Sequence, residues 1–98
     1  MHARLSRFAG LPPERIDETI EEFEKRQLPE LRRQPGYQGV MVMLNRSSGQ
    51  AAALTLWESE EDMRESERVA DQVREAAMAL GRPKREPVID RYEVVMRQ

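Results

Sequence analysis

The chain has 98 residues, with 16 basic against 18 acidic side chains, a formal charge of −2 and no cysteine. That length predicts one domain over residues 1–98, and the near-neutral charge gives no reason to expect a nucleic-acid partner or an anionic membrane. Without cysteine there is no disulfide, no thiolate chemistry and no Cys-based metal site. Met1 to Phe8 lacks the apolar core of a leader, and no stretch is long enough to span a bilayer, so a cytoplasmic protein with no membrane partner is expected.

Ala3 to Phe8 alternates loosely before Gly10 and Pro12-Pro13, which predicts a first strand. The only histidine, His2, lies in a terminus expected to fray. Proline in a first helical turn loses no hydrogen bond, so a helix should start at this pair. Ile16, Ile20, Phe23, Gln27 and Leu31 then recur on one helix face. Glu14, Asp17 and Glu18 suit its N-terminal end, and Arg32 and Arg33 its C-terminal end. Pro29 should kink or interrupt this helix near Gln27-Leu28, and Pro35-Gly36 should end it.

Gly39 to Asn45 reads as the second strand, Arg46 to Gly49 as a turn, and Gln50 to Trp57 as the third strand of a hairpin. Immediately afterwards Ser59 stands three residues before Asp62 and ahead of an apolar-periodic stretch. That is a helix N-cap with carboxylates at Glu60, Glu61 and Asp62 on the positive end of the helix. The second helix is expected from Ser59 to about Leu80, with Met63, Ser66, Val69, Ala70, Val73, Ala76, Ala77 and Leu80 in one sector. Gly81-Arg82-Pro83 should stop it, and Pro87 to Met96 reads as a fourth strand. The order is that of an α+β, ferredoxin-like βαββαβ domain with an antiparallel four-stranded sheet.

Strand 2 is apolar on both faces, with Val40, Val42 and Leu44 on one and Met41 and Met43 on the other. Strand 3 sets Leu54 and Leu56 against Ala53, Thr55 and Trp57. A sheet with one wet face should alternate cleanly, and two helices can cover only one face. The second apolar face therefore calls for a second copy, sheet against sheet.

Pro35-Gly36-Tyr37-Gln38-Gly39, the hairpin, Leu56-Trp57-Glu58-Ser59-Glu60-Glu61 and the closing Arg91-Tyr92-Glu93-Val94-Val95 together resemble the dimeric α+β barrel superfamily. The nearest group is the antibiotic-biosynthesis-monooxygenase-like domains. The resemblance implies a homodimer joined through its sheet faces to form a barrel. Its haem-degrading branch uses an Asn on strand 1, then a Trp and a His on the second helix, where this chain has about Arg7, Ser66 and Ala76. None matches. The quinone-forming branch uses no metal or flavin, and sets a motif Trp between an Asn and a Tyr around a phenolic substrate. Trp57 matches there, while Ala53 and Met63 stand in the other two places.

The resemblance thus implies a small-molecule-binding domain, with a cofactor-independent monooxygenase acting on an aromatic or phenolic substrate as the leading reading. The alternative is a non-catalytic dimeric binding or stress-related module whose helix faces are simply core. Candidate pocket residues are Trp57, Ser66, Arg7, Tyr92 and Asn45. Trp57 either stacks on a flat ligand or pins strand to helix. Ser66 either points into a pocket or bonds the carbonyl one turn back. Arg4 or Arg7 could fork onto a carboxylate or phenolate, or simply be solvated at a strand end. Tyr92 and Asn45 are polar groups at the rims of strands, and no cluster has metal-ligand spacing. Small residues at 51, 53, 70, 76 and 77 permit either close packing or a cavity between sheet and helix.

Overall fold

A computed structural model describes residues 1–98. The elements are β1 (His2–Phe8), α1 (Pro13–Glu22), a π-helical turn (Phe23–Gln27), α2 (Leu28–Arg32), β2 (Tyr37–Asn45), β3 (Gln50–Trp57), α3 (Glu60–Glu65), α4 (Glu67–Gly81) and β4 (Val88–Glu93). The strands form one sheet in the order β2-β3-β1-β4, with every neighbouring pair antiparallel. Each helical crossover spans one intervening strand, giving the split βαβ arrangement expected of a ferredoxin-like domain.

The register fixes which side chains meet across the sheet. On the helix-covered face, Tyr37, Trp57, His2 and Glu93 make one row. Val40, Thr55, Arg4 and Arg91 make the next, followed by Val42, Ala53, Ser6 and Ile89. Trp57 is fully buried and packs with Leu31 and Met63 in the core cluster. The Tyr37 ring meets its edge at 5.9 Å between centroids, the geometry aromatic quadrupoles favour. The indole N–H donates to Thr55 Oγ1 at 3.0 Å, so its one polar atom is satisfied.

The opposite face has no cover. Met41 is 57% exposed, Met43 43%, Val88 52% and Tyr92 48%.

Several local features differ from expectation or sharpen it. His2 does not fray: it pairs with Trp57 on one side and Glu93 on the other, as part of β1. The first helix is broken by a π turn, in which the Leu28 N–H reaches back five residues to the Phe23 carbonyl. Pro29 accounts for this, because it has no N–H to offer Lys25 and its ring crowds the preceding turn. The second helix is two helices, with the break at Ser66, and β4 ends at Glu93 instead of Met96. Finally, Gly81 is the last helical residue, and the left-handed residue after it is Arg82 at φ 48°. A Cβ at Gly81 would press on Leu11 and Thr19, so close approach of α4 to α1 is what a glycine serves there.

Candidate functional site

Between the sheet and the helices lies a cavity of about 100 Å³. It exists because small side chains face each other. Ala51 and Ala53 on β3 look across at Ala70 and Ala77 on α4, and none reaches the middle. Phe23, carried by the π turn, and Val42, on the edge strand, line it too; Val42 is 38% exposed, so the cavity reaches the surface past the β2 edge.

Two arginines line this cavity, and both are buried: Arg4 is 2% exposed and Arg74 8%. Arg4 occupies the helix-facing side of β1, where its guanidinium lies 5.3 Å from the Trp57 ring centroid, within cation–π range. One Nη donates to Ser66 Oγ at 3.0 Å, to the Met63 carbonyl at 3.2 Å and to Glu67 Oε1 at 3.3 Å. The other donates to Ser66 Oγ at 2.9 Å. The Ser66 hydroxyl in turn donates to the Met63 carbonyl at 2.6 Å, so this serine both breaks the helix and anchors Arg4.

Arg91 stands directly opposite Arg4 in the sheet, a like-charge pair that is destabilising by itself. Glu67 resolves it. Its carboxylate accepts from Arg91 Nε at 2.8 Å as well as from Arg4, and lies 3.7 Å from Arg74. Arg74 also pairs with Asp71, an exposed carboxylate one turn back. Burial works to raise the Glu67 carboxyl, but the Arg91 hydrogen bond and the three surrounding positive charges outweigh it and hold the group below its ordinary value. For Arg4 burial is the largest influence and lowers its pKa, with the Glu67 charge opposing. An arginine remains a cation through such a shift.

The predicted site residues scatter. Trp57 and Ser66 sit behind Arg4 and hold it, and neither lines the cavity. The space directly behind Trp57 is packed core; the cavity begins one row along the sheet, at Arg4 and Ser6. Arg7 corrects the pocket expected of it. As an odd-numbered residue of β1 it points to the uncovered face, where it pairs with Asp90 at 2.6 Å. Tyr92 lies on that same face, for the same alternation. Asn45 closes the hairpin, its Oδ1 accepting the Ser47 and Ser48 backbone N–H groups at 3.1 and 3.2 Å. With Arg7 it borders a separate surface cleft at the end of the sheet.

Arg74 was missed by sequence reasoning, although a signal was present: it falls within the same helical sector as Ala70, Val73 and Ala77. Of the two arginines that could fork onto a carboxylate or phenolate, Arg4 is the one that lines the cavity. Arg4 and Ser6 face the helices and are buried, whereas Arg7, on the other side of β1, is exposed.

A sequence profile of the antibiotic biosynthesis monooxygenase family matches residues 1–80. The chain belongs to this family. No curated protein matches the sequence. Among solved structures, this family member is similar to a monooxygenase from the gene ActVA-Orf6 of Streptomyces coelicolor in complex with nanaomycin D. The two share 16% identity over 99% of this chain and 92% of that one, with a TM-score of 0.76. It is also similar to Rv0793 from Mycobacterium tuberculosis, with 12% identity over 98% and 96% and a TM-score of 0.73. The haem degrader MhuD of the same organism, with two haems bound in its active site, shares 19% identity over 98% of each chain at a TM-score of 0.67. At such identities the common property is the fold.

Proposed function

We propose that this antibiotic biosynthesis monooxygenase family member binds a small aromatic ligand in the cavity between sheet and helices and oxygenates it without a cofactor. The observation that carries the reading is a cavity with apolar walls and two buried guanidinium groups, the combination of shape and convergent polar groups typical of ligand sites. In this reading the substrate supplies all the electrons. A phenol ring carbon exchanges its hydrogen for one atom of O₂ and becomes a carbonyl, and the ring hydroxyl becomes the second carbonyl. The other oxygen atom leaves as water, carrying the two hydrogens removed. The chain's part is to fix the ring against the alanine walls and to stabilise phenolate charge with Arg4 and Arg74. Trp57 and Ser66 act as positioning residues for Arg4.

The alternative, a non-catalytic dimer whose helix faces are simply core, requires that space to be filled, and the cavity favours the first reading. We also assign the uncovered sheet face to a second copy of the chain, supported by the exposed Met41, Met43, Val88 and Tyr92. The activity test is oxygen uptake under air with hydroxylated aromatics of one to three rings, followed by ¹⁸O₂ labelling of the product. One oxygen atom from O₂ in a quinone product is expected. No uptake across the panel, by the wild type or by Trp57→Phe, would remove the oxygenase assignment.

A further inference from the structure

The cavity is specific about charge and about size, and together these narrow the ligand. The charged groups around it are Arg4, Arg74 and Arg91 against Glu67 and Asp71, three positive and two negative, which leaves one positive charge uncompensated. The imbalance is unevenly distributed. Glu67 is shared among all three arginines, with Arg74 the most distant of them at 3.7 Å. Asp71, the other partner of Arg74, is 65% exposed, so water screens its charge. Arg74 is 9% exposed at its side chain and lines the cavity, and its hydrogen bond to Asp71 uses Nη2 alone, leaving Nε and Nη1 without a protein acceptor. A buried guanidinium in that state is stabilised by an anion, and its planar fork matches the two oxygens of a carboxylate.

Size sets the other limit. An apolar cavity of about 150 Å³ takes one benzene ring. This one, at about 100 Å³, is smaller, so even a single substituted ring has to extend past the part-exposed Val42 at the β2 edge. The room between β3 and α4 comes from Ala51, Ala53, Ala70 and Ala77, and the longer Leu11, Ile16, Phe23 and Leu31 close in around it, so the space as it stands does not take a second ring.

We propose that the ligand is a single-ring aromatic carboxylate of the hydroxybenzoate class, with its carboxylate on Arg74 and Arg4 and its ring between the alanine walls. The proposal rests on the cavity being the ligand site, and it adds the charge and ring count that the site selects.

Three probes matched in all but one property test it by calorimetric titration: 4-hydroxybenzoate, its neutral analogue 4-hydroxybenzamide, and the larger 6-hydroxy-2-naphthoate. The expected result is 4-hydroxybenzoate binding at least tenfold more tightly than either of the others. Arg74→Gln should remove that tenfold preference over the amide while leaving amide binding in place. Ala77→Leu, which fills the cavity, should abolish binding of all three and raise the melting temperature by a few degrees. This variant and the wild-type comparison decide the matter even if Arg74→Gln fails to fold. Equal affinity for acid and amide, equal affinity for one ring and two, no binding of 4-hydroxybenzoate, or undiminished binding by Ala77→Leu would each overturn the proposal. Failure here is distinct from failure of the oxygenase assignment. Oxygen uptake on neutral or larger phenols without carboxylate preference sinks only the ligand class, whereas tight hydroxybenzoate binding with no oxygen uptake sinks only the oxygenase.

Discussion

Ser66 shows how much one small side chain can determine. It is fully buried, it accepts from both terminal nitrogens of Arg4, and it ends α3. Ser66→Ala leaves a guanidinium that is 2% exposed short of its main acceptor. The expected loss is about 1–3 kcal/mol, read as a shifted urea midpoint with an unchanged slope. A change below about 0.5 kcal/mol, the range of ordinary surface substitutions, would mean that Arg4 is held by something else. Glu67 makes a prediction in pH. Its carboxyl is depressed in the folded chain, so its contribution to stability is present above the ordinary value of 4.5 and is lost as pH falls below that, through the lower folded value. Glu67→Gln should therefore be less stable near neutrality and should lose stability less steeply than the wild type on going below about pH 4.5. Parallel urea-midpoint curves for the two proteins through that acid range would contradict the assignment.

Among the elements, the strand-to-helix corner at Trp57-Glu58-Ser59 does most to set the geometry. The Ser59 hydroxyl accepts the Asp62 N–H at 3.1 Å, and the Glu58 N–H ties the corner to the Gly36 carbonyl at 2.8 Å. Gly36 has φ +78°, and a Cβ there would overlap the Asp62 carboxylate. Gly36→Ala combines a left-handed conformation, worth about 1–2 kcal/mol, with displacement of the first turn of α3. It should cost about 2 kcal/mol or more and perturb Trp57 emission. Ser59→Ala removes only the cap and should cost about 1 kcal/mol. If Gly36→Ala proved the milder of the two in thermal melts, the corner would be looser than its contacts indicate. The π turn belongs to this scale as well. Pro29 marks the interruption in the sequence, but the sequence does not say that the helix responds by widening a turn, which brings Phe23 to the cavity.

For the whole molecule, the uncovered sheet face matters most. Met41, Met43, Val88 and Tyr92 are each between 43% and 57% exposed on one side of the sheet, a grouping of large apolar side chains of the kind that marks interaction sites. The proposed dimer predicts a particle of twice 11.4 kDa in sedimentation at micromolar concentration. Charge repulsion on a shared face should break it: Met41→Glu combined with Met43→Glu should sediment at 11.4 kDa while keeping its secondary structure. A folded wild-type monomer at 11.4 kDa would refute the assembly.

Periodicity alone determined the order of strands and helices, the Ser59 cap, the break near Pro29 and the excess of apolar strand surface, because each depends on residues a few positions apart. The site did not follow from such local rules. Arg4 and Arg74 are 70 positions apart in sequence, and only the crossover that lays α4 on the sheet brings both to one cavity, with Glu67 between them. Burying a cation depends on the partner it finds, and that partner is chosen by tertiary packing. The same holds for the alanines at 51, 53, 70 and 77: whether small residues close ranks or leave a hole depends on how near the helix can approach the sheet. Here the longer side chains around them keep the two apart.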